Sequence, residues 1–348
     1  MALARVTRLP ASAALPYALR RDTGGAGGGA GGAAAREEAL AAFLKSRTRT
    51  TVGRVLETAS RVATRRRPAA ALKGVAATDW FRLDAKDDIT EKWYPQGLSC
   101  GSDAGLSSPA AFAISWYWKP DPAAEPERGI RVSFLNVATL KYAHVLLVEP
   151  DAAGNPVPIN VHAGGLAWYK NLLYVPDTTG GLRVFDLRNL CEGGLFGYSF
   201  TLPQSDMWSC DQALGARFSF ATLDRSADPV LLVSGEYLTS GTGRVVRWAL
   251  AADGSLATDE EGTAVPVDAY NSPGQKIQGA VSYKGRWYFS QSGGTGPNDR
   301  LLTALPGQPV EERNYPKGPE DLTVWRGKST VWTIAEKPGG RVILGVPL

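Results

Sequence analysis

Glu320 and Asp321 stand side by side near the end of the 348-residue chain. Adjacent acids of this kind can hold a proton, a cation or the hydroxyls of a bound sugar. The sequence has two histidines, His144 and His162. His162 could act as a general base or a metal ligand. His144 falls in an alternating strand-like run from Tyr142 to Val148 and reads as structural. Gln96, Arg217 and Gln278 each open a short apolar run of the kind that follows Glu320. Brought together, Gln96, His162, Arg217, Gln278, Glu320 and Asp321 would form a polar ligand site. Within it His162 and Glu320 are the catalytic candidates, and Glu320 is a candidate ligand for a cation such as Ca²⁺. The competing explanation is a buried hydrogen-bonded network with no ligand at all. Adjacent strand residues point to opposite faces, so only one of Glu320 and Asp321 faces such a site unless a bulge intervenes.

Other candidates carry less. Asp177, Glu236, Gln291 and Glu336 fall near strand ends, where turn capping is the simpler role. The glycine-rich stretches at 240–243 and 292–296 lack the lysine and following helix of a phosphate loop and read as hairpin turns. No Gly-x-Ser-x-Gly elbow is present, which argues against an α/β-hydrolase. The cysteines are Cys100, Cys191 and Cys210, too few for a disulfide framework and without zinc-site spacing. Cys191 and Cys210 could pair in an oxidising compartment or remain thiols.

The elements that must position these residues repeat. Residues 164–175 read Gly-Gly-Leu-Ala-Trp-Tyr-Lys-Asn-Leu-Leu-Tyr-Val. Residues 278–289 echo them as Gln-Gly-Ala-Val-Ser-Tyr-Lys-Gly-Arg-Trp-Tyr-Phe, and residues 320–332 do so again with one insertion. Each is an apolar strand, an aromatic, a basic residue, a turn residue and a returning strand. A third strand follows each time. Weaker units start near 96 and 218. Five units of this spacing suit four-stranded blades, and the chain is expected to be all-β, a five-bladed β-propeller. Six blades are the alternative if the weak third region holds another unit. The chain ends after the third strand of unit five, so residues 78–84 are expected to supply the missing fourth strand and close the ring. In such a ring the leading residue of each first strand lies near one mouth of the central channel.

Charge divides the chain in two. Residues 1–75 carry fourteen Lys/Arg against four Asp/Glu, while the remainder carries 24 against 30. The mildly acidic body, residues 76–348, gives no reason to expect a nucleic-acid partner. The basic extension, residues 1–75, holds an almost pure Gly/Ala run at 24–32 and a stretch of helical composition at 36–67. It reads as flexible or partly helical, either a targeting segment or a disordered, solvated arm. No apolar run is long enough to span a bilayer. The best secretory-signal candidate, Leu9 to Leu19, is broken by Pro10 and Pro16.

Trp93-Tyr94-Pro95-Gln96-Gly97, the run from His162 to Tyr169, the run from Ile277 to Val281 and Gly318-Pro319-Glu320-Asp321-Leu322 occur in order. Together they resemble uncharacterised secreted actinobacterial β-propeller proteins across residues 78–348. The resemblance implies an extracellular location. The unclear signal segment leaves organelle targeting or the cytoplasm as alternatives. Gly318-Pro319-Glu320 also resembles, more distantly, the gluconolactonase and strictosidine-synthase-like propellers. There Glu, Asn and Asp hold a divalent cation, and of these only Glu320 is matched here.

Three functions are consistent with this reading. The first is binding of a small polar ligand or glycan at the channel mouth, with Trp93, Tyr94 and Trp168 stacking on it. The second is a metal-dependent hydrolase or lactonase using Glu320 and His162. The third is a scaffold for a protein partner.

Overall fold

The computed structural model describes residues 4–22, 32–66, 72, 74–106, 110–121, 125–293 and 296–348. Five antiparallel units of four strands follow one another, and the fifth takes Thr64–Arg66 as an additional outer strand. Blade one is Trp93–Cys100, Ala111–Trp118, Ile130–Asn136 and Lys141–Pro150. Blade two is Ala167–Tyr169, Leu172–Asp177, Gly181–Asp186 and Phe200–Ser209. Blade three is Phe220–Asp224, Leu231–Gly235, Arg244–Ala249 and Asp268–Asn271. Blade four is Ile277–Tyr283, Arg286–Gln291, Asp299–Ala304 and Glu311–Tyr315. Blade five is Pro319–Trp325, Thr330–Ala335 and Val342–Pro347, with Asp79–Arg82 as its fourth strand through Ile343↔Phe81 and Leu344↔Trp80.

The ring closes at its centre. First strands touch in the order one–two–three–four–five, and that of blade five returns to that of blade one. The hairpins that launch the blades use the turns their sequences demand. Tyr283 pairs with Arg286 across a two-residue loop in which Lys284 and Gly285 have φ of 51° and 78°, the positive values a primed turn requires. Tyr169 pairs with Leu172 across the two-residue loop Lys170–Asn171, where Lys170 has φ of 53°.

Alternation then fills the seams between blades. In the second strand of blade five, Trp332 and Ile334 face blade one while Val331 and Ala335 face blade four. The core is five such seams, each dominated by large side chains. Trp168 lies at seam one–two, Trp208 and Trp248 at two–three, Trp287 at three–four, Trp80 and Tyr315 at four–five, and Trp116 and Trp332 at five–one. Blades one and two are also stitched at their outer edges, where Thr201↔Leu146 and Leu202↔Leu147 pair in parallel.

The solvated arm expected before the blades is not what the described residues show. Val6 enters seam three–four, Tyr17 and Leu19 enter seam two–three, and Val55 and Leu56 enter seam one–two. Ala63 reaches seam five–one, and Val75 and Ala77 pack against seam four–five. The segment thus makes one lap of the rim, counter to the order of the blades, before becoming a strand of blade five. Helices α1 (Gly32–Lys45) and α2 (Val52–Glu57) belong to this lap, and Phe43 of α1 packs on Leu146 and Val148. Apolar anchors outweigh the basic composition because each falls into a groove between blades already lined by apolar side chains. Residues 24–31 of the Gly/Ala run lie outside the described residues.

All three cysteines are free, so Cys191 and Cys210 are not joined. Among the described residues no helix is long and apolar enough to cross a membrane.

Candidate functional site

Three first strands break register at the same point: between Pro95 and Leu98, between Ile277 and Gly279, and between Pro319 and Leu322. A bulge adds a residue and re-aims the side chains around it. Here it turns Gln96, Gln278 and Glu320 toward one another from blades one, four and five. Gln96 Nε2 donates to Glu336 Oε2 at 3.1 Å, and Gln278 Nε2 donates to Glu320 Oε1 at 3.2 Å. Because of the bulge, Asp321 points inward as well. Its Oδ2 accepts from the Leu166 backbone N–H of blade two at 2.9 Å, while Oδ1 has no hydrogen-bond partner among the described residues.

Below this mouth the axis is filled by backbone. A Cβ on Gly97 would overlap Gly165, one on Gly165 would lie 2.6 Å from Phe220 C, and one on Gly279 would lie 2.7 Å from Asp321 Cα. The glycines after Gln96, Gly164 and Gln278 let the strands meet. The polar residues are therefore the floor of a recess and not the wall of an open tube.

Around the floor stand Tyr94, Tyr117, His162 and Glu336. The His162 ring lies 4.4 Å from the Tyr117 centroid, and Tyr94 lies 5.7 Å from Tyr117. Crowding lowers the His162 pKa, opposed by the Glu336 carboxylate, although the imidazole is still reached by solvent. Lys337 pairs with Glu336, and the buried Arg341 donates to the Glu336 carbonyl at 2.8 Å.

Glu320 is 1% exposed. Burial and the nearby Glu336 carboxylate push its pKa well up, against the pull of Lys337. Burial raises Asp321 as well, opposed by the backbone N–H groups of Leu166, Leu322 and Leu98. A carboxyl raised above its unfolded value of about 4 stabilises the fold at low pH, and that contribution is lost as pH rises through the folded value. Glu320→Gln carries no such loss. Its melting temperature relative to wild type is expected to climb between pH 4 and pH 8. A difference that stays flat across the series would show that Glu320 is not held protonated.

The recess does not hold every residue expected there. Arg217 is exposed, and its backbone N–H meets the Tyr17 hydroxyl at 3.5 Å. The first strand of blade three starts only at Phe220, and Ser219 takes the central position, its carbonyl in contact range of Gly164. Trp168 is buried in seam one–two and cannot stack on a ligand. Trp93 packs on Trp118 with the Arg131 guanidinium 4.3 Å from its ring, which leaves Tyr94 as the one of the three at the mouth. Asp177 and Glu236 cap turns, accepting from Gly180 N and Arg244 N. Glu336, given the same role from sequence, faces the recess. A set of three His, Cys, Asp or Glu side chains able to hold a metal does not occur among the described residues.

Two acids escaped the sequence reading. Asp103, in α4 (Gly101–Ala104), accepts from Thr323 Oγ1 at 2.5 Å, and burial pushes its pKa up to about 7. Asp87, in α3 (Ala85–Ile89), is the centre of a larger network. Trp116 Nε1 donates to Ser133 Oγ at 2.8 Å. Ser133 Oγ lies 2.7 Å from His144 Nδ1, and His144 Nε2 lies 3.1 Å from Asp87 Oδ2. The order serine, histidine, aspartate is that of a hydrolytic triad, but Ser133 is fully buried and no substrate can reach it. Burial and the neighbouring Arg131 lower the His144 pKa to about 4, so the ring is neutral and relays hydrogen bonds. Burial alone would raise Asp87, yet His144, Arg131 and Arg61 hold it well below the carboxylate range.

No family model matches the sequence, and no curated protein matches it. Solved structures share its outline at low similarity. A GH43 β-xylosidase/α-arabinofuranosidase from a compost microbial metagenome is 14% identical, with 78% of this chain and 93% of that one covered at a TM-score of 0.41. The GH43_1 enzyme from Xanthomonas citri complexed with xylotriose is 13% identical, with 80% and 93% covered at 0.40. A chain of the mitotic checkpoint complex aligns at 0.38. None of these is a gluconolactonase- or strictosidine-synthase-like propeller. Likeness at this level carries no argument about chemistry, and the blade count rests on the sheets themselves.

Proposed function

We propose that the protein binds a small polar ligand, a sugar unit or short glycan, in the recess at the channel mouth. The observation that carries this reading is the convergence of Gln96, Gln278, Glu320 and Glu336 from three blades onto one floor, beneath the partly exposed faces of Tyr94 and Tyr117. Amide donors alternating with carboxyl groups match a row of sugar hydroxyls, and flat aromatic faces match the ring above them. Calorimetric titration with a panel of neutral mono- to trisaccharides tests it. At least one member is expected to bind, and Gln96→Ala and Gln278→Ala are each expected to weaken it by about tenfold, the value of one or two lost hydrogen bonds. Failure of the whole panel, or variants that bind like wild type, would remove the reading.

One observation favours a second reading, glycoside hydrolysis. Burial and the neighbouring Glu336 raise the pKa of Glu320, and such a pair is what a proton donor and its partner require. Release of nitrophenol from aryl glycosides by wild type, and its loss in Glu320→Gln, would distinguish turnover from binding alone.

A further inference from the structure

A second cavity, of about 820 Å³, opens on the flank of blade one, between the rim lap and the loop that precedes the outer strand of blade two. Its lining is basic and aromatic. Arg54 and Arg61 come from the lap, Arg128 and Arg131 from blade one, and Phe196 and Tyr198 from the loop. Acidic groups facing it are Asp87 and Glu192.

The charge inside is not balanced. Arg131 is 4% exposed and lies 4.3 Å from the Trp93 centroid and 4.7 Å from that of Trp116. Its Nη2 meets Asp87 Oδ1 at 3.0 Å, and its Nε has no hydrogen-bond partner among the described residues. The same carboxylate also takes Arg61 at 3.0 Å and the Tyr142 hydroxyl at 2.6 Å. Arg61 is partly exposed and also meets Asp84 Oδ1 at 3.6 Å, so Asp87 and Asp84 answer Arg131 and Arg61, while Arg54, Lys86 and Arg128 add further positive charge to a lining whose other acid is Glu192. At the rim, the Arg128 guanidinium lies 5.0 Å from the Trp118 centroid and 5.6 Å from that of Phe196. It forms no ion pair among the described residues. An excess of positive charge around one buried guanidinium and beside aromatic surface is stabilised by a further anion.

We propose that this flank cavity binds a small organic anion, its carboxylate or phosphate answering Arg61, Arg128 and Arg131 and its apolar body resting against Phe196 and Trp93. The site is separate from the channel recess and does not depend on the function assigned there.

Calorimetric titration of the full chain with benzoate, phenyl phosphate and neutral benzyl alcohol tests it. Benzoate or phenyl phosphate is expected to bind, the tighter of the two identifying carboxylate or phosphate as the recognised group, and added salt is expected to weaken it. Arg61→Gln and Arg128→Ala are each expected to weaken binding by about tenfold or more, as loss of a charged hydrogen bond does. Arg128 is exposed, so its variant keeps the fold even if Arg61→Gln does not. Gln96→Ala, at the channel recess, is expected to bind like wild type. Absence of binding by both anions, equal binding of benzyl alcohol, or unchanged affinity in Arg128→Ala would overturn the proposal.

Discussion

Asp87→Ala is expected to cost about 3–5 kcal/mol of stability at pH 7, because it strands buried guanidinium charge. In the native protein Asp87 takes Arg131, Arg61, Tyr142 and His144 on its two oxygens. Its backbone carbonyl accepts from Arg341 at 2.6 Å, which the substitution leaves intact. The loss therefore measures the carboxylate alone. The folded pKa lies below the unfolded value of about 4, so the contribution is present above that value and disappears as pH falls through the folded one. Urea unfolding of wild type and variant from pH 7 down to pH 3 reads the loss at pH 7 and the start of its decline below the unfolded value. A loss under about 1 kcal/mol at pH 7 would mean that water replaces the carboxylate and that the corner is not desolvated.

The second large effect lies on the axis. Gly165→Ala places a methyl group against the backbone of blade three, overlapping Ala221 N and lying 2.7 Å from Phe220 Cα. Backbone cannot rotate aside as a side chain can. The first strands of blades two and three must separate, and the contacts of all five first strands depend on that spacing. A loss at or above the upper end of the usual 1–3 kcal/mol for overpacking is expected, read as a drop in the urea midpoint. Gly327→Ala is the control, since a Cβ there meets nothing within 4 Å, and it is expected to stay within about 0.5 kcal/mol of wild type. Equal stability of the two variants would show that the centre of the ring yields.

The ring was legible in the sequence because its units repeat locally. Tyr169-Lys170-Asn171 and Tyr283-Lys284-Gly285 announce hairpins within a dozen residues, and the strands on either side follow from them. The site was partly legible for the same reason. Gln96, Gln278 and Glu320 occupy one position of one repeat, and the repeat brought them together. Arg217 failed because blade three starts its first strand three residues later, so alignment by apolar run slipped past Ser219. The inward turn of both Glu320 and Asp321 depends on a bulge, which adds one residue without any fixed sequence mark. Asp87 was invisible because its partners Arg131, Tyr142 and His144 stand on two neighbouring strands of blade one, 44 to 57 residues further along the chain. The lap was hidden by its own spacing. Val6, Tyr17, Phe43 and Val55 stand eleven or more residues apart, far outside any helical or strand period.

That lap fixes an order of events during folding. Each of its anchors sits in a groove that exists only after two blades have met, and its last residues pair with Val342–Pro347 at the far end of the chain. The earlier stretch of the chain must therefore wait for a much later one before it can dock. A sequence rich in arginine, alanine and glycine is suited to that order, because its few and widely spaced apolar side chains give it little to bury before the grooves exist.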